Sequence, residues 1–160
     1  MQDTFFTSKQ AAEITGCTLR QLQYWREKGV IVPVISETGT GRSIYYSKAN
    51  LVELAVMVYF LSAGLSFDLA GETVKTLKDK EPELFKSGQG KRFMLLGTVG
   101  EKAAKGGTGL MLSLVEFDRE KAIASVVEGK AVIPVWLDVI YLSVVNSLRD
   151  KAINREDNIE

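Results

Sequence analysis

"TLRQLQYWREKG", residues 18–29, decides the fold. Thr18 and Gln21 stand three apart, the spacing of a capping box, in which cap and third side chain each bond the other's backbone N–H. Gly29 closes the stretch, where helices stop on a residue without a Cβ. Leu19 and Leu22 share a row that Trp25 or Arg26 extends, and the leucines are expected to face a neighbouring helix. That leaves Arg20, Gln21, Gln23 and Tyr24 on the outer arc.

The preceding residues repeat the pattern. In "TSKQAAEITG", residues 7–16, Thr7 and Gln10 fit a second capping box, with Phe6 placed as a hydrophobic staple. Ala11, Ala12 and Ile14 give a short apolar stripe, and Gly16 ends it. Two short helices joined through Gly16 and Cys17 read as a helix-turn-helix. Downstream, "VIVPVISETGTGRSIYYS", residues 30–47, changes the period. Val30 to Ile35 is a β-prone run that Pro33 makes an edge strand, "SETGTG" is a turn cluster, and Ser43 to Tyr46 is the return strand. The product is a two-stranded wing. Ser47 then caps an apolar-rich helix that Gly64 stops, and Ser66 caps another running to about Lys80.

The charged, glycine-containing "KDKEPELFKSGQGKR" marks a boundary. The expected organisation is a DNA-binding domain over residues 1–80, a linker over 81–92 and a second domain over 93–160. In the last, "RFMLLGTV" and "GLMLSLVEF" read as strands and "DREKAIASVVEG" as a helix capped by Asp118. A final helix begins near Pro134, a residue suited to the first helical position. The fold class is mainly α: an N-terminal winged helix-turn-helix plus a small C-terminal α+β dimerisation or effector domain.

Composition narrows the chemistry. Twenty basic residues balance twenty acidic ones, so any attraction to nucleic acid comes from a local patch. One cysteine and no histidine exclude a disulfide framework and zinc sites of Cys/His type, and remove the commonest general base. No metal or other cofactor is expected. The glycine clusters "GQGKR" and "GEKAAKGGTG" lack the spacing of a phosphate loop, and no carboxylate pair stands beside a nucleophile, so an enzyme is not expected. The start, "MQDTFFTSKQ", lacks the basic and apolar regions of a signal peptide, and no apolar run is long enough to span a bilayer. A cytoplasmic location, away from membranes, follows as the expectation.

Arginine and glutamine are the side chains that reach base edges in a major groove, Arg to guanine and Gln to adenine. A surface helix facing water is the competing reading of residues 18–29. Local charge weighs against it: residues 18–48 hold five basic side chains and two acidic ones, a net of three positive charges in a neutral protein. Counterion release makes such a patch favourable on DNA.

The stretches "TSKQAAEITGCTLRQLQYWREKGVI", "GRSIYYSKANLVEL" and "LSAGLSFDLA", in that order, resemble the MerR family of bacterial transcription regulators across residues 5–78. The resemblance implies a winged helix-turn-helix, homodimers on near-palindromic DNA, and distortion of that DNA to realign promoter elements, which makes RNA polymerase a further implied partner. By match, Arg20 and Tyr24 take recognition-helix roles and Arg42 the wing role. The candidate DNA-contacting set is Thr18, Arg20, Gln21, Gln23, Tyr24, Arg26 and Lys28 from the helix, with Arg42, Tyr46 and Lys48 from the wing and beyond. Gln23 stands where the family often has arginine, and Trp25 where it often has tyrosine. Metal-sensing members carry cysteines near their long dimer helix; here no cysteine follows Cys17, which excludes thiolate metal sensing and an iron–sulfur centre. Cys17 reads as a small buried residue.

The last helix is apolar on more than one face. Leu137, Ile140, Tyr141, Val144 and Leu148 are expected to form an isologous contact with a second copy. Trp136 and Tyr141 fit packing better than an effector pocket, and a small-molecule effector is left open. Two rivals remain: an architectural DNA-bending protein using the same residues, and a winged module that binds protein with the aromatics as anchors.

Overall fold

The computed structural model describes residues 4–36, 44–99 and 110–157. It is mainly α, with seven helices and two small three-stranded sheets among those residues. The elements run β1 (Phe6–Thr7), α1 (Ser8–Thr15), α2 (Leu19–Glu27), β2 (Ile35–Ser36), β3 (Ile44–Tyr46), α3 (Lys48–Ser62) and α4 (Phe67–Lys80). They continue α5 (Pro82–Ser87), β4 (Phe93–Val99), β5 (Leu110–Glu116), α6 (Arg119–Val127), β6 (Val132–Val135) and α7 (Leu137–Asp157). Two compact units result. One comprises the described parts of Met1–Gln89 and Asp138–Glu160, the other those of Gly90–Leu137.

In the first unit the helix starts are set locally. Complete capping boxes, Thr7 with Gln10, Thr18 with Gln21 and Ser47 with Asn50, open α1, α2 and α3, and the Ser66 side chain caps α4. Gly16, at a φ of 82°, ends α1 in the left-handed region and turns the chain towards α2. Helix α3 is the centre of the unit. Its Leu51, Val52, Leu54, Val56, Met57 and Phe60 are fully buried, and α1, α4 and α5 pack against it. Asn50 and Glu53 are buried among these apolar residues because they are paired. The Asn50 amide donates to the Val32 carbonyl (3.0 Å) and to Glu53 (2.7 Å), and Glu53 forms an ion pair with Lys78 of α4. This chain of polar contacts ties the entry to the wing, α3 and α4 together.

The wing sheet has order β1-β3-β2, one strand more than the expected hairpin. Phe6, read as a staple, lies in β1 opposite Tyr46. Of the expected first strand only Ile35 joins the sheet, together with Ser36 from the expected turn cluster. The N–H groups of Val30 and Ile31 instead bond the Trp25 carbonyl (2.9 and 3.3 Å), which keeps the chain against the end of α2, and Pro33 has no N–H to donate.

The domain boundaries differ from those drawn from composition. Residues 81–92 are not an open linker: Pro82 opens α5, Leu84 and Phe85 are buried, and the helix packs on α3 and α4. Helix α7 from Asp138 onward joins the first unit, not a separate domain over 93–160. Gly88, at a φ of 73°, ends α5 so close to α7 that a Cβ there would lie 2.7 Å from the Tyr141 ring. The Lys48 ammonium lies 4.9 Å from the same ring's centroid, and Lys151 pairs with Glu13 of α1 at 3.0 Å.

The dimer row expected of the last helix is therefore its inner face. Leu137 and Val144 are buried within the chain, and Ile140, Tyr141 and Leu148 are partly covered. The exposed large apolar residues of α7 are Val139 and Leu142. A helix apolar on two faces does need cover, but its own chain supplies it on this one.

The second unit is an antiparallel sheet of order β5-β4-β6 with α6 joining β5 to β6. Phe93, Met94 and Leu95 of the central strand are buried. Asp118 caps α6 as expected, accepting from the Glu120 N–H at 2.9 Å. Pro134 does not start the last helix. It lies in edge strand β6 opposite Met94, while Gly97 donates to Ala131 at 2.8 Å. Counting along the ladder from that bond, Pro134 falls at a pair where no N–H points to β4, so a residue lacking one is tolerated. Trp136 packs under the Arg92 guanidinium (4.1 Å to the centroid) and edge-on to Phe117. No helix among the described residues is long and apolar enough to cross a membrane.

Candidate nucleic-acid interface

Helix α2 divides into two arcs. Leu22 and Trp25 are each 1% exposed and anchor it, with α1 packed alongside. At about 100° per residue, the opposite arc carries Arg20, Gln23, Tyr24 and Glu27, all exposed, while Leu19, exposed as well, stands in the row of Leu22 one turn earlier. Thr18 and Lys28 are exposed at its two ends, and Gln21 and Arg26 are half-buried on its flanks.

Several of these side chains already have work within the helix. Gln21 folds back so that its oxygen accepts from the Thr18 N–H at 3.0 Å, while the Thr18 hydroxyl oxygen accepts from the Gln21 N–H. Both are fixed as the cap. The Gln23 amide donates to Glu27 at 3.0 Å, which holds both side chains on the exposed arc. Tyr24 stacks at a tilt on Phe67, at the start of α4, with ring centroids 4.8 Å apart, and the Lys28 ammonium lies 5.6 Å from the Tyr24 ring. The start of α4 thus borders the recognition helix, and Phe67 belongs to this surface although the sequence pattern gave no reason to single it out.

On the wing, two expected contacts need revision. Tyr46 is fully buried, with its hydroxyl covered, so it is a core residue. Successive strand residues face opposite ways, and the partly exposed tyrosine is Tyr45, paired with Thr7 and Ile35. Lys48 is exposed but lies over the Tyr141 ring. Arg42 falls outside the described residues. Leu19, expected to face the first helix, is 57% exposed instead. It is the first residue of α2, and the buried row begins only at Leu22.

Cys17, in the turn between α1 and α2, is buried, with its sulfur 3.1 Å from the Thr15 hydroxyl. Burial pushes its thiol above the ordinary range, outweighing the opposing hydrogen bond from Thr15. At neutral pH the thiol stays protonated and inert. Alkylation by iodoacetamide is expected to run at least about tenfold slower in the native protein than after denaturation. Equal rates would mean that the turn is open.

Residues 6–77 match the family described as MerR HTH family regulatory protein. Over those residues the chain is similar to the MerR helix-turn-helix family. The match begins in β1 and ends inside α4, so it contains both helices of the turn, the wing strands and the central helix α3. Helices α5 and α7 lie beyond the MerR match, although both belong to the same compact unit. This similarity points to a DNA-binding transcription regulator. No curated protein matches the chain.

Proposed function

We propose that the protein regulates transcription by binding a near-palindromic DNA site as a homodimer and distorting it. The observation that carries this reading is the exposed arc of α2, where Arg20, Gln23 and Tyr24 stand on a helix fixed by a complete capping box and by buried Leu22 and Trp25. A recognition helix enters the major groove with base-reading side chains outward and its own position set by the fold. Arg20 is the base reader, and Tyr24 and Lys28 contact the backbone. A two-fold dimer brings two such helices to half-sites spaced by whole helical turns, and bending the duplex between them lets both engage. The exposed Val139 and Leu142 of α7 are the residues this reading assigns to the dimer contact, in place of the inner row. Bending that realigns promoter elements makes RNA polymerase the next partner.

Selection of bound sequences from a random duplex pool, followed by titration of the selected site over a range of salt, tests the reading. The selected site is expected to be a near-palindrome, with affinity falling steeply as salt rises. Arg20→Ala is expected to cost about 1–3 kcal/mol per half-site and to relax preference at one base pair. No selected sequence, or unchanged binding by Arg20→Ala at moderate salt, would remove it.

A further inference from the structure

We infer that Leu19 reads the 5-methyl group of a thymine next to the base contacted by Arg20, which makes it a specificity-determining residue of this recognition helix. The inference rests on the DNA-binding reading and adds a contact to it. An exposed leucine on a protein surface is ordinary. This one differs in its place. It is the first residue of α2, directly before Arg20, in the turn of a recognition helix that meets base edges. The Thr18–Gln21 capping box holds that turn in place, so the exposure does not come from a fraying helix end. The exposed residues of the neighbouring outer arc, Arg20, Gln23, Tyr24 and Glu27, all carry polar groups, so Leu19 is the exposed apolar side chain at the edge of that arc. Leu19 has no donor or acceptor to offer a base edge, and the thymine methyl is the apolar feature that a major groove presents. Covering that methyl removes apolar surface from water on both partners.

The experiment uses the full chain and unmethylated synthetic DNA, so that 5-methylcytosine, which carries the same methyl, is absent. Once a bound sequence has been selected, each thymine in it is replaced singly by deoxyuridine, which deletes the methyl and leaves base pairing unchanged. At one thymine in each half-site the wild type is expected to lose about fourfold in affinity, the worth of one buried methyl. Leu19→Ala and, as a second variant, Leu19→Gln are expected to bind more weakly, to melt as the wild type does, and to show no loss on that replacement. A methyl loss of the same size in wild type and variants overturns the proposal, as does a wild type indifferent to every thymine or a selected half-site without thymine. If the wild type binds no duplex even at low salt, the DNA-binding reading itself fails and takes this contact with it.

Discussion

Trp25→Ala is expected to remove about 3–5 kcal/mol of stability, whereas Tyr24→Ala, one residue earlier, leaves the fold standing. The indole is 1% exposed and fills the space that α2 closes over. The Trp25 carbonyl accepts from both Val30 and Ile31, so a shift of this residue also loosens the entry to the wing. Losing a large buried ring costs its transfer from water and leaves a cavity, a large share of the roughly 5–15 kcal/mol that holds a domain folded. Tyr24 is 44% exposed and gives up mainly its tilted contact with Phe67, worth about 0.5–1.5 kcal/mol. Its loss is expected to appear in DNA affinity. Urea titrations of both variants, beside binding to the selected site, separate the two roles. Equal destabilisation, or a larger loss for Tyr24→Ala, would mean that the two aromatic faces of α2 are assigned the wrong way round. Side by side in the sequence, one ring anchors the helix and the other belongs to the surface it presents.

Local signals were legible where they are self-contained. A capping box needs four residues, and the two read from Thr7 and Thr18 lie at helix starts, as does the cap read at Ser47. The two arcs of α2 follow from its period, but Leu19 does not: spacing from Leu22 puts it in the same row, and only the tertiary fold tells that cover begins one turn later. Tyr45 and Tyr46 pose a parity question, since a strand sends neighbours to opposite faces and the sequence does not say which face is the core. The answer depends on β1, whose pairing partner lies about forty residues along the chain in a strand of three. The 81–92 stretch misled through composition. Charges at Glu81, Glu83 and Lys86 surround Leu84 and Phe85, and two buried side chains are enough to fix a short helix on α3 and α4. For α7, hydrophobicity on two faces demanded two partners without naming them, and burial assigns the Leu137–Val144 side to the chain itself.

Val144→Asp is accordingly expected to destabilise the fold itself, and not simply to split a dimer. The valine is 2% exposed on the inner face of α7, in the helix whose Tyr141 lies against Gly88 and beneath Lys48. An uncompensated carboxylate there costs about 3–5 kcal/mol, because the charge leaves water without a designed partner. The penalty depends on pH in a defined direction. Burial raises the introduced group's pKa in the folded state, so the deficit relative to wild type is full at neutral pH and shrinks as pH falls towards the ordinary carboxylate range, about pH 4. Since α7 belongs to the same unit as the recognition helix, DNA binding is expected to fall with stability. Leu142→Asp is the control. That residue is 56% exposed, so the variant is expected to melt within a few degrees of wild type, and sedimentation shows whether the outer face holds two copies together. A folded, monomeric Val144→Asp with wild-type urea midpoint would return the inner row to the dimer contact and detach α7 from the unit that binds DNA.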